Sequence, residues 1–212
     1  MFDEVIQVHV GTLPDDKTYT IHKGVASHYS DYFAAATRSD SPFKESTEGI
    51  IHLPTERVSV FADFVNWLYT GSLPRSIDDQ RPDYRVLCEL WVLSDRRGVP
   101  LLMNVAINEI RQRFVQAWSL PLNQLEWIYV NTVPEAGLRR FMVAIFGQTG
   151  GPTNLQDSNP GMWPKDALWD VLGAVWKLQR EGVTKRMSKE EVAKMEMCQY
   201  HVHDEGVKCG KD

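Results

Sequence analysis

The sequence predicts an α+β fold: a short sheet with a helical cluster, followed by an all-helical extension. Three observations carry that prediction. Residues 5–10 and 18–21 are short strand-like runs rich in β-branched and aromatic residues, separated by turn formers. Through residue 114 the order of patterns is strand, strand, two helices, strand, three helices. From residue 122 to 176 apolar residues recur only at three-four spacing, with no strand pattern among them.

In the first strand Val5, Gln7 and His9 alternate with Ile6, Val8 and Val10, so at least one face is buried, and Gly11 ends the run. Pro14-Asp15-Asp16 is a turn, and the second strand returns from it to close a hairpin. Lys17-Thr18 after Gly11 has the outline of a phosphate loop. The outline fails, because Asp16 precedes the lysine with a carboxylate that repels phosphate, and a strand follows where such a loop needs a helix. Residues 24–36 are helical in pattern, with Val25, Tyr29, Tyr32, Phe33 and Ala36 on one apolar side. Residues 37–48 are polar, contain Pro42 and read as loop, and 50–53 form a third strand. Pro54-Thr55-Glu56 starts a helix whose predicted inner face is Val58, Phe61, Ala62, Val65, Leu68 and Tyr69. Gly71 closes it as a C-terminal cap. After a connector at 74–82, residues 84–94 are helical with Tyr84, Leu87, Cys88 and Trp91 on one side. Pro100 opens the next helix at the first turn, where its missing N–H costs nothing, and that helix runs through Leu102, Ala106, Ile110 and Phe114.

These elements define a first domain over residues 1–118. A helical extension over 119–182 follows. Leu122, Leu125 and Tyr129 mark a short helix stopped by Pro134. Leu138, Phe141, Met142, Ile145 and Phe146 mark an amphipathic second, and Leu168, Val171, Leu172, Val175 and Trp176 a third. The segment 183–212 holds a helix start at Ser188-Lys189-Glu190-Glu191 and then a Cys/His tail.

Composition narrows the class of function. Across 212 residues, 43% are apolar and 24% charged, an ordinary globular balance. A net charge of −5 supplies no attraction to nucleic-acid backbones or anionic membranes, and no apolar run approaches a membrane span. Met-Phe-Asp-Glu has neither the basic flank nor the apolar core of a signal peptide, so a cytoplasmic or nuclear location is expected. With three cysteines a disulfide framework is not expected.

His22-Lys23, Val25, Ser30 and Tyr32-Phe33 follow the first hairpin, and Tyr69-Thr70-Gly71 ends the helix after the third strand. In residue type and spacing these positions resemble the BTB/POZ family, over about residues 4–117. Glu4, Tyr19 and Ala26 depart from that family's usual aspartate, phenylalanine and leucine, the last with a loss of packing volume. The run Tyr129-Val130-Asn131-Thr132, Pro134-Glu135 and Leu138-Arg139-Arg140 is similar to the helical extension of uncharacterised fungal BTB proteins. The resemblance implies a non-catalytic protein–protein interaction module, a scaffold or adaptor whose partners are other proteins. It implies two narrower alternatives as well: a substrate adaptor of a cullin ubiquitin ligase, and a self-associating transcriptional or chromatin cofactor. Many BTB dimers exchange a segment ahead of the first strand. This sequence begins almost at that strand, so a monomer or weak dimer is expected.

Ser27, His28, Ser30 and Asp31 hold the residue types of a hydrolytic triad. Neighbours on one helix seldom converge as a triad requires, and the interaction fold accounts for them, so no catalytic residues are assigned. His22 is expected to be packed with a backbone partner, and Cys88 to be a small core residue. Arg96-Arg97, Arg111 with Arg113, and Arg139-Arg140 are expected on solvated helix faces, since no basic stripe accompanies them. Phe43-Lys44-Glu45 sits where BTB adaptors of cullin ligases carry an apolar-x-Glu motif. Phe43 would there anchor in a pocket of the partner and Glu45 make a directed polar contact. The alternative is a loop whose Phe43 folds back onto the core.

The tail offers a different chemistry. Cys198, His201, His203 and Cys209 fall within twelve residues and supply two thiolates and two imidazoles, the ligand types that zinc takes. Cys198 and His201 are three apart, His201 and His203 project to the same side of an extended backbone, and Gly206 allows Cys209 to return. Four protein ligands leave no open position, so a structural zinc is the expected role. The alternative is a polar tail after a helix end.

Overall fold

The computed structural model describes residues 4–38, 49–74, 83–151, 159–203 and 209. It divides into two compact units, Met1–Pro82 with Glu89–Met103, and Asp83–Cys88 with Asn104–Asp212.

In the first unit, β1 (Val5–Val10) and β2 (Lys17–His22) form the antiparallel hairpin, Val5 facing His22 and Val10 facing Lys17. β3 (Ile50–Leu53) runs parallel to β1 on its other edge, giving the order β2-β1-β3. Ile6, Val8, Val10, Ile21, Ile51 and Leu53 are buried, so alternation did fix which side of the sheet faces the core. α1 (Lys23–Tyr29) and α2 (Asp31–Ala36) are separate helices, divided at Ser30. Ser30 is extended, and its hydroxyl accepts from the Phe33 amide at 3.1 Å as the N-cap of α2. Ala26 is fully buried: the small side chain sits at a core position of α1.

α3 (Val58–Thr70) corrects the sequence-based face. Its buried residues are Val60, Phe61, Phe64, Trp67 and Leu68, while Tyr69 is 48% exposed and Val58, Ala62 and Val65 are half-buried. The reason lies in the rings. Phe64 stacks on Phe33 at 6.1 Å and meets Phe61 at 5.3 Å, and Trp67 meets Tyr29 at 5.2 Å. Burying aromatic side chains removes more apolar surface from water than burying the smaller face would. Helical phase therefore follows the bulk of the residues as well as their spacing. The helix begins at Val58, later than Pro54, and ends at Gly71, whose φ of 70° is left-handed and whose amide donates to the Trp67 carbonyl at 2.8 Å.

α4 (Tyr84–Arg96) and α5 (Pro100–Ala117) contribute residues to both units. In the second unit, Ala106, Ile107, Ile110 and Phe114 of α5 are buried, as are Leu125 and Ile128 of α6 (Leu125–Asn131). In α7 (Gly137–Thr149) all five predicted positions, Leu138, Phe141, Met142, Ile145 and Phe146, are buried. α8 (Lys165–Arg180) is less enclosed: Ala167 is its buried residue, while Trp169 and Trp176 are 70% and 53% exposed. A cavity of about 990 Å³ lies along it, lined by residues that include Leu120, Phe146, Trp163, Leu172, Val175 and Met187. α9 (Lys189–Ala193) starts with a complete capping box. The Ser188 hydroxyl accepts from the Glu191 amide at 3.3 Å, and the Glu191 carboxylate accepts from the Ser188 amide at 2.6 Å.

One member of each arginine pair corrects the expectation of a solvated face: Arg96 and Arg140 are exposed, while Arg97, Arg139 and Arg111, the last bonded to the Ala193 and Met195 carbonyls, are engaged. Arg97 donates to Glu56 at 2.8 Å and lies over the Tyr32 ring at 4.6 Å. Arg139 is buried and donates to Thr132 Oγ1 at 2.8 Å and to the Tyr129 and Thr132 carbonyls. A guanidinium has five donors in a planar fork, so it can gather several loop acceptors that a helix end leaves open.

Candidate metal centre

The tail reaches its site through local chain geometry. After α9 the chain makes a short 3-10 turn at Cys198–Tyr200, and His201 follows in extended conformation. Tyr200 is buried with its ring edge-on to Phe141 at 5.4 Å. Gly137, at the start of α7, lies so close to the Tyr200 carbonyl that a Cβ there would collide with it. These contacts anchor the turn and aim the residues that follow.

Three of the four predicted residues, Cys198, His203 and Cys209, converge as one group, and His201 lies beside it, against Cys209. Cys198 Sγ lies 3.4 Å from His203 Nε2, and Cys209 Sγ lies 3.3 Å from the same nitrogen. Ligand atoms of Cys198, His203 and Cys209 all fall within 4.8 Å of one another. His201 joins through Nδ1, 3.0 Å from Cys209 Sγ, with its ring 5.7 Å from that of His203. The Cys209 amide donates to Cys198 Sγ at 3.3 Å. Gly206 lies outside the described residues.

Three residues of α5 hold this group in place: Asn104 and Asn108, which the sequence did not single out, and Arg111, which was expected on a solvated face. Asn108 Oδ1 accepts from His201 Nε2 at 3.0 Å, which puts the ring proton on Nε2 and leaves the Nδ1 lone pair facing Cys209. Asn104 grips the Val202 backbone twice, donating to its carbonyl at 2.9 Å and accepting from its amide at 2.8 Å. Arg111 donates to the Ala193 and Met195 carbonyls at 3.1 and 2.9 Å, closing the end of α9. Their signal in the sequence was the three-four spacing of Asn104, Asn108 and Arg111, on a helix that also carries Glu109, Gln112, Arg113 and Gln116. Burial, assisted by His203 and Arg111, holds the His201 imidazole below its ordinary pKa and so in the neutral form that has a lone pair to give.

The other predicted positions have different outcomes. Phe43 and Glu45 lie outside the described residues. His22 finds a side-chain partner: its amide donates to the Tyr69 hydroxyl at 3.0 Å, and its Nδ1 lies 2.9 Å from the same oxygen. Ser30, besides capping α2, donates to the Arg97 carbonyl at 2.5 Å. Cys88 is buried. Ser27 faces Thr37 at 3.3 Å. The His-Lys and Tyr-Thr-Gly signatures are thus physically joined through His22 and Tyr69, and their polar groups are engaged in structural bonds.

A three-stranded sheet of order β2-β1-β3 with helices, its polar signature residues bonding one element to the next, is the frame of the first unit. Residues 2–91 match the BTB/POZ domain, and this part of the chain has that domain's fold. No curated protein matches the chain. BTB domains bind other proteins and self-associate, and they are in general non-catalytic.

Proposed function

We propose that the chain acts as a non-catalytic scaffold or adaptor, with its BTB/POZ domain as the docking module. The match over residues 2–91 carries this reading. Its support within the domain is that Ser30, His22 and Tyr69 hold elements together, which makes their residue types structural. Its partners are other proteins, and the low net charge of −5 argues against nucleic acid and membrane surfaces as partners. No helix among the described residues is long and apolar enough to cross a membrane. The place of action we infer is the cytoplasm, the nucleus or both, and self-association is weak.

The narrower reading is an adaptor of a cullin ubiquitin ligase, favoured by the Phe43-Lys44-Glu45 sequence. A chromatin or transcriptional cofactor is the competing outcome. Affinity purification of the tagged full-length chain from its own cells, with partners identified by mass spectrometry, separates them. Recovery of a cullin that is lost in Phe43→Ala, with the fold retained by circular dichroism, supports the adaptor. Recovery of chromatin proteins replaces it with the cofactor. A chain that captures no protein above a mock control overturns the scaffold reading. Light scattering over a dilution series tests assembly, and a dimer that persists at nanomolar concentration contradicts weak self-association.

A further inference from the structure

We propose that Cys198, His201, His203 and Cys209 bind one structural zinc ion, and that Asn108 is the outer-shell residue that orients His201 toward it. Zinc–sulfur and zinc–nitrogen bonds of about 2.3 and 2.0–2.1 Å in a tetrahedron set the sulfur–nitrogen edges at roughly 3.5 Å. The sulfur–nitrogen separations here are 3.0, 3.3 and 3.4 Å. Cys198 and Cys209 thus already stand at tetrahedral ligand separations from His203, and His201, which lies against Cys209, would move in as the fourth ligand when the ion binds. Coordination also satisfies the proton and charge balance. Zinc displaces one proton from each thiol; two thiolates cancel the dication, two neutral imidazoles complete four-coordination, and two protons leave to solvent. The set of two sulfurs and two nitrogens selects zinc over magnesium or calcium, which take oxygen ligands.

The surroundings fit a ligated site. The Cys209 amide points at Cys198 Sγ, the N–H···S bond that steadies a thiolate ligand. Asn108 accepts the His201 Nε2 proton, the outer-shell contact through which a protein fixes a ligand's tautomer and ring plane. Asn104 clamps Val202, between the two histidines, so the backbone that spaces them is set by α5. The ion would therefore close the tail onto α5, and the tail's docking would depend on metal.

The test uses the full chain purified without a histidine tag from zinc-supplemented medium. Plasma mass spectrometry is expected to find one zinc per chain, and a Cys198→Ser/Cys209→Ser variant to lose it. Should that variant fail to fold, wild-type protein titrated with a strong chelator and a zinc indicator gives the same stoichiometry without it. Cobalt(II) substitution is expected to give thiolate charge-transfer bands with tetrahedral d–d absorption. For Asn108, competition against a chelator is expected to show Asn108→Leu binding zinc about 10–100-fold more weakly, and Asn108→Asp recovering the affinity, because a carboxylate accepts the same proton. Metal-free wild type, a cobalt spectrum without thiolate bands, or zinc retained in the double serine variant overturns the site. Equal zinc affinity in Asn108→Leu and wild type overturns the outer-shell role.

Discussion

At the scale of the residue, the domain rests on a few side chains whose chemistry can be tested one at a time. Phe61 is fully buried, with Tyr19 at 5.1 Å and Phe64 at 5.3 Å from its ring. Phe61→Ala is expected to cost about 3–5 kcal/mol in denaturant unfolding, since it deletes a ring from a packed site. Phe64→Ala should cost a similar amount, while Val65→Ala on the same helix should cost about 1 kcal/mol or less, on the scale of a partly exposed position. Equal losses at 64 and 65 would restore the face that spacing alone predicted. Ser30 does two things, capping α2 and donating to the Arg97 carbonyl. Ser30→Ala is therefore expected to destabilise by about 1–2 kcal/mol, toward the upper end for a lost cap. A loss within about 0.5 kcal/mol, ordinary for a surface change, would show that neither bond matters.

At the scale of the element, the informative join is between the start of α7 and the turn at Cys198–Tyr200. Gly137 has no side chain, and the Tyr200 carbonyl occupies the space where one would begin. Gly137→Ala must push that turn away, with an overpacking cost of about 1–3 kcal/mol. It is also expected to open the segment after residue 197 to proteolysis, read by limited digestion and mass spectrometry. Unchanged digestion would mean that the turn accommodates a methyl group. The element scale also shows where pattern was sufficient. α7 buries all five residues that its periodicity selected, because the stripe is continuous and the bulk is uniform. On α8 the stripe was just as regular, yet Leu168 and Leu172 are each 38% exposed. Periodicity states that a helix has an apolar side, and it does not state that anything covers that side.

At the scale of the whole molecule, stability is expected to be unevenly distributed. The four tail residues proposed to bind zinc and the three α5 residues that hold the tail all belong to the second unit. Removing metal with a chelator should therefore raise amide hydrogen exchange in α9 and the tail, with β1, β2 and β3 unchanged. Local opening of this kind is drawn from segments with few buried contacts of their own. Exchange that rises equally in the sheet would show that the two units unfold as one. Adding zinc back should reverse the change, by the linkage that stabilises whichever state binds the ligand.

By itself the sequence determined the class and order of elements. Strand alternation at 5–10, the caps at Gly71 and Ser188, and the existence of the helices are local signals, set by backbone geometry over a few residues, and the structure follows them. The sequence also brought the four tail residues to notice, because ligand chemistry is a property of residue type. Tertiary structure alone decided the rest. The phase of α3 depended on which rings could pack against Phe33 and Tyr29, residues more than thirty positions earlier. Arg139 was a surface residue by composition, and became buried because carbonyls at 129 and 132, in and just after the last turn of α6, converge on it. Asn104 and Asn108 were unremarked, and Arg111 was read as a solvated cation, until the chain returned some ninety residues later to be held by them. Such contacts are invisible to pattern, since a side chain's bonding capacity is written in the sequence while its partner is chosen by the path of the chain.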